Sequence, residues 1–70
     1  MQGLVNEGFV NLTNVNNLVV MDLVNDASAE VRIHNTEGSI LNMDQKGTVI
    51  LSGDNTFNWY KGVNSGEITG

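Results

Sequence analysis

The stretch AEVRIHN, residues 29–35, is one of three versions of a single outline. It occurs as GFVNLTN at 8–14 and as GTVILSG at 47–53, and a shortened version, GEITG, occupies 66–70. Anchored on the first apolar residue of each copy, Val10, Val31, Val49 and Ile68 are separated by 21, 18 and 19 residues, a period of about twenty. In each full copy a second apolar residue follows two positions later, at Leu12, Ile33 and Leu51. That spacing is the signature of a strand with one buried face. The copies close on Asn14, Asn35 and Gly53, the two residue types that most readily enter a bend with positive φ.

Four or five residues beyond each bend a second apolar segment starts: Leu18 with Val20, Ile40 with Leu41, and Phe57 with Trp59. The unit therefore reads strand, arc, strand, loop. One such turn is a single strand thick and cannot bury its apolar face, so a periodic chain of this kind buries it by stacking turn on turn. The expected fold is all-β, a single-domain β-solenoid of stacked turns of about twenty residues, with approximate repeat cores at 8–24, 29–43 and 47–60 and a partial copy at 66–70. Val10, Leu12, Leu18, Val20, Val31, Ile33, Val49, Leu51, Phe57 and Trp59 are the expected core, with Asn14, Asn35 and Gly53 as stacked arc or ladder positions. Other readings compete with this one. The run NLVVMDLV, 17–24, resembles a short helix in length, but its β-branched valines and lack of a three-four spacing favour a strand. A small β-sandwich would also use short strands with frequent turns, although its strands need not repeat in register, and pairs of the V-x-L type also recur by chance.

Composition narrows the function classes. Three Lys and Arg against eight Asp and Glu argue against nucleic acid, since phosphate neutralisation needs clustered cations. There is no cysteine, hence no disulfide or thiolate metal site. The opening MQGLVNEG lacks a basic region followed by an apolar run, so no secretory signal is expected. His34 alternates with Val31 and Ile33 and is expected to face solvent. No nucleophile-base spacing or phosphate-loop glycine pattern stands out, so an enzyme, a cofactor and a small-molecule substrate are not expected. Asp26-x-Ser28-x-Glu30 has alternating oxygen ligands but lacks the glycine turn and closing Glu of a calcium loop. Asn11-Leu12-Thr13 is a glycosylation sequon, meaningful only in a secreted chain. Two features instead favour extended sheet: eleven asparagines, several beside the repeats, and no proline at all.

The V-x-L/I-x-N/G copies, with the aromatic pair Phe57 and Trp59 after the last full one, resemble the fungal HET-s type of prion-forming domain. The resemblance rests on Val10, Leu12, Asn14, Val31, Ile33, Asn35, Val49, Leu51, Gly53 and the two aromatics. The sequence departs from that family in closing its motifs with Thr-Asn, His-Asn and Ser-Gly, in lacking an obvious long linker, and in having few paired opposite charges. The resemblance implies a cytoplasmic amyloid-signalling segment of a cell-death protein, an apolar core of stacked turns, asparagine ladders at the bends, and a receptor carrying a similar motif as templating partner. Uncapped turns expose unpaired backbone groups above an apolar ledge. No cap is evident here, so end-to-end assembly into a cross-β amyloid fibril is expected, with the chain itself as partner. The alternative is a set of β-helix rungs from a secreted, extracellular bacterial adhesin or autotransporter passenger, suggested by GTVILSGDNTF and VNSGEITG. Charge at Ile33 and proline at Val49 are expected to be disruptive, and proline near Ser65 or Gly66 to be tolerated.

Overall fold

Each V-x-L segment forms a strand, and each segment beyond its arc forms another. The computed structural model describes residues 1–70 and contains no helix. Its strands are β1 (Gly3–Asn6), β2 (Phe9–Thr13), β3 (Leu18–Asn25), β4 (Glu30–His34), β5 (Glu37–Gln45), β6 (Thr48–Ser52), β7 (Thr56–Asn64) and β8 (Glu67–Thr69). The odd-numbered strands form one sheet in the order β1-β3-β5-β7, and the even-numbered strands form a second in the order β2-β4-β6-β8. Every pairing is parallel. The chain thus winds through four turns, two strands per turn, as a β-solenoid.

Register makes equivalent residues stack in columns. In the second sheet Val10, Val31, Val49 and Ile68 form one column and Leu12, Ile33 and Leu51 another. In the first sheet Leu4 stacks on Leu23, Met43 and Gly62, and Val20 on Ile40 and Trp59. The inward faces of the two sheets meet as two apolar clusters, Val20, Leu23, Ile40 and Met43 on one side and Val31, Ile33 and Val49 on the other, with Phe57 and Ile68 touching both. Full burial of a Val, Leu or Ile side chain contributes roughly 1.5–3 kcal/mol, so the two middle turns supply most of the apolar stabilisation. Side-chain size is balanced along the columns. Leu18, Gly38 and Phe57 follow one another, and a Cβ at Gly38 would collide with the Leu18 backbone and Cβ.

The arcs between the sheets use the residues expected of them. Asn14, Asn35 and Gly53 have φ of 56°, 48° and 74°, so each turn leaves the second sheet through a left-handed residue at the same place. Asn17 adds a fourth left-handed position in the first arc, with φ of 58°.

Four details go beyond the sequence reading. The first turn begins with β1, Gly3–Asn6, ahead of the copy read from residue 8; it bonds to β3 residue for residue. The strands of the first sheet run on to Asn25, Gln45 and Asn64, beyond the repeat ends at 24, 43 and 60. In the apolar segment that starts with Ile40 and Leu41, Ile40 is buried, while Leu41 lines a groove on the outer face with Val19, Ser39, Tyr60 and Lys61. Finally, Ser65 and Gly66 are not free loop positions, because both backbone N–H groups donate to the Gln45 carbonyl, at 2.8 and 3.2 Å. Proline at either position removes a bond between turns.

Candidate assembly surfaces

At the corner where the first sheet hands over to the second, the stacked residues are amides: Asn6, Asn25, Gln45 and Asn64. Asn6 Nδ2 donates to Asn25 Oδ1 at 2.9 Å and to the Glu30 carbonyl at 2.9 Å. Asn25 Nδ2 donates to Gln45 Oε1 at 2.7 Å and to the Thr48 carbonyl at 3.2 Å. Gln45 Nε2 donates to the Gly47 carbonyl at 2.8 Å and the Glu67 carbonyl at 3.1 Å. Each amide NH2 therefore reaches toward the following turn, and its second bond locks the start of the next strand in the second sheet. Asn25 and Gln45 are fully buried, and no buried side-chain polar atom lacks a partner. Burying a satisfied amide is affordable, whereas an unsatisfied one costs about 1–3 kcal/mol. The Asn6 and Asn64 Oδ1 atoms also accept from the N–H two residues on, Gly8 and Gly66, at 3.1 and 3.2 Å, which turns the corner tightly.

This amide column lies at the corner opposite the one expected from the motif endings. Asn14, Asn35 and Gly53 do stack, but through the backbone: Asn14 N–H donates to the His34 carbonyl at 2.9 Å and Asn35 N–H to the Ser52 carbonyl at 3.3 Å. No side-chain bond joins Asn14 to Asn35; Asn35 Oδ1 instead accepts from Asp54 N–H at 2.8 Å. Buried Thr36 and its neighbour Asn55 complete that arc, with Thr36 N–H donating to Asn55 Oδ1 at 2.8 Å. The signal for the true column was present as a spacing of 19, 20 and 19 between Asn6, Asn25, Gln45 and Asn64. It was hidden because one member is a glutamine and none lies in a V-x-L motif.

Burial of the expected core residues depends on their turn. Val20, Val31, Ile33 and Val49 are at most 4% exposed. Val10 and Leu12 in the first turn, Leu18 and Leu51 in the middle turns and Phe57 in the fourth are half-buried and pack on the two clusters. Trp59 is 37% exposed, with its Nε1 donating to the Lys61 carbonyl at 2.7 Å. Between the sheets, toward the fourth turn, lies a cavity of about 170 Å3 with ten exclusively apolar lining residues, among them Met43, Leu51, Phe57, Trp59 and Ile68. The apolar interior is thus most fully covered in the middle turns and less covered toward the end faces.

The lateral faces offer less. Arg32 pairs with Glu30 at 2.6 Å and lies 5.5 Å from the Phe9 ring centre, all on the outer face of the second sheet. His34 Nδ1 sits 2.9 Å from Ser52 Oγ. Asp26 and Ser28 lie in the turn between β3 and β4, and Glu30 begins β4, where its carboxylate is engaged by Arg32; no cluster of three metal-ligating side chains occurs. No known protein family, characterised protein or solved structure matches the chain. The class defined by its own geometry is a parallel β-solenoid with two apolar end faces and a polar corner column.

Proposed function

We propose that the chain is a self-templating assembly module, in which one molecule's end turn serves as the mould for the next and growth yields a cross-β fibril. The observation that supports this reading is the contrast within single columns. Val31 and Val49 are buried, while Val10 and Ile68, in the same column at the two ends, are half-buried. A further turn at either end would cover apolar surface and pair the free edges of β1 and β2 at one end or of β7 and β8 at the other, and an identical chain supplies side chains of matching type. Selectivity comes from order along the chain, since an incoming strand must present apolar residues and amides at the same register. The setting in a cell-death protein, with a receptor of similar motif as template, belongs to this proposal through the HET-s-type resemblance alone.

Seeded growth tests it. Purified chain diluted from denaturant should form fibres with a strand repeat near ~4.8 Å along the axis, and preformed fibres should remove the lag phase for fresh chain. A scrambled chain of identical composition should not respond to those seeds. A chain that remains a soluble monomer, or seeds that recruit the scramble equally, would refute the reading and favour the rungs of a rigid adhesin stalk.

A further inference from the structure

Two of the apolar columns lose their side chain at the fourth turn. Leu4, Leu23 and Met43 are followed by Gly62, and Leu12, Ile33 and Leu51 reach Gly70, which follows the Ile50–Thr69 pair and where a Cβ would meet the Leu51 Cβ at 2.8 Å. The cavity of about 170 Å3 is lined by Leu23 and Met43 from one column and Ile33 and Leu51 from the other. At the opposite face of the solenoid the same two columns start with half-buried Leu4 and Leu12. One face thus lacks two side chains where the other presents two leucines, in matching columns.

The amide column has the same polarity. Asn6, Asn25 and Gln45 each donate toward the next turn. Asn64 has its Oδ1 bonded to Gly66 N–H, while its Nδ2 makes no bond within the chain. A first turn placed on the fourth would offer Asn6 Oδ1 and the Phe9 carbonyl, which are the column equivalents of the two acceptors that Asn25 uses. A fourth turn placed on another fourth turn would oppose glycine to glycine and donor to donor.

We infer that the fourth-turn face binds the first-turn face of a second copy, with Leu4 and Leu12 seated over Gly62 and Gly70 and with Asn64 donating to Asn6, so that assembly is strictly head to tail and in register. This rests on the proposed self-assembly and adds its direction and contact residues. A heterologous contact of this kind has no closing symmetry when its rotation advances along one axis, and it generates an open filament.

The test uses outward-facing positions, because the chain has no native cysteine. Gly3, Asp22, Asn42 and Lys61 form an outer column, and a Cβ at Gly3 meets nothing closer than the Asp22 carbonyl at 3.8 Å. In the inferred stack Lys61 of one copy neighbours Gly3 of the next at about the strand spacing of ~4.8 Å, within disulfide range. Chains carrying Gly3→Cys and chains carrying Lys61→Cys are mixed, assembled and mildly oxidised, and the linked peptides are identified by mass spectrometry. Links between positions 3 and 61 should exceed 3–3 and 61–61 links at least tenfold. Assemblies dominated by 3–3 or 61–61 links overturn the inference while leaving self-assembly intact; a chain that sediments only as monomer overturns self-assembly itself. In parallel, Leu4→Ala combined with Leu12→Ala should slow seeded growth at least tenfold, and Val5→Ala, on the outer face, should change it less than twofold. Equal growth of the two variants overturns the role of the leucines, and if the double variant fails to fold, the cross-linking result decides.

Discussion

Replacing Asn25 by alanine probes the amide column at its most buried member. The substitution removes the donor to Gln45 Oε1 and to the Thr48 carbonyl, and the acceptor for Asn6 Nδ2. Asn6 retains the Glu30 carbonyl, so the loss falls chiefly on Gln45 Oε1, inside a site with no exposure. An orphaned buried polar group costs about 1–3 kcal/mol, and two weakened neighbours bring the expected loss to about 2–4 kcal/mol. For a domain of this size 1 kcal/mol corresponds to roughly 4–8 °C in Tm, so the melting midpoint should drop by roughly 10–30 °C. The assay is thermal unfolding followed by the strand signal in circular dichroism, under conditions that keep the chain dispersed. Asn58→Ala, on the outer face of β7, is the control and should stay within about 0.5 kcal/mol of the parent. Asn25→Asp adds a test of sign. Its carboxylate would face Gln45 Oε1 and the Ala29 and Thr48 carbonyls, all but the Asn6 amide being acceptors, which together with burial raises the folded-state pKa above the unfolded value of ~3.9. The folded state then binds more protons than the unfolded state between those two values, so the variant's deficit relative to the parent should shrink as pH falls through that window. An Asn25→Ala chain that melts within 2–3 °C of the parent, or an Asn25→Asp deficit independent of pH, would refute a structural role for the column.

Other substitutions address the remaining layers. Ile33→Asp places a carboxylate in a site 1% exposed and should cost several kcal/mol, abolishing the cooperative melt and fibre growth together. Val49→Pro removes the strand N–H that faces β8 and should strongly destabilise the fold, whereas Ala27→Pro, at the second position of the turn closed by Ala29 N–H to the Asp26 carbonyl at 2.9 Å, should be tolerated; denaturant midpoints distinguish them. Gly38→Ala drives a methyl into the Leu18 backbone and should destabilise by about 1–3 kcal/mol in the same measurement, while Ser39→Ala beside it should be nearly neutral.

The period was legible in the sequence because parallel in-register stacking makes each turn bury what its neighbours bury, and the chain writes that demand as V-x-L every twenty residues or so. The arcs were legible for a related reason: only a few residue types adopt positive φ cheaply, and Asn14, Asn35 and Gly53 are such types at equivalent places. Strand β1 escaped notice because GLVN has one apolar inward position, Leu4, and acquires its strand character from the ladder to β3. The facing of the first sheet was decided by tertiary structure. Its inward positions run Val20, Leu23, Asn25 and Ile40, Met43, Gln45, with two outward residues between the first pair, and the ladder omits Met21, Leu41 and Tyr60 at the same level in three strands. Strict alternation fails there, so no period-2 reading could place Leu41 outside or bring Gln45 under Asn25. Which asparagines form the buried column is settled by the same geometry: an amide becomes a ladder only where the corner aims it at the next turn, and that direction is a property of the wound chain rather than of any local motif.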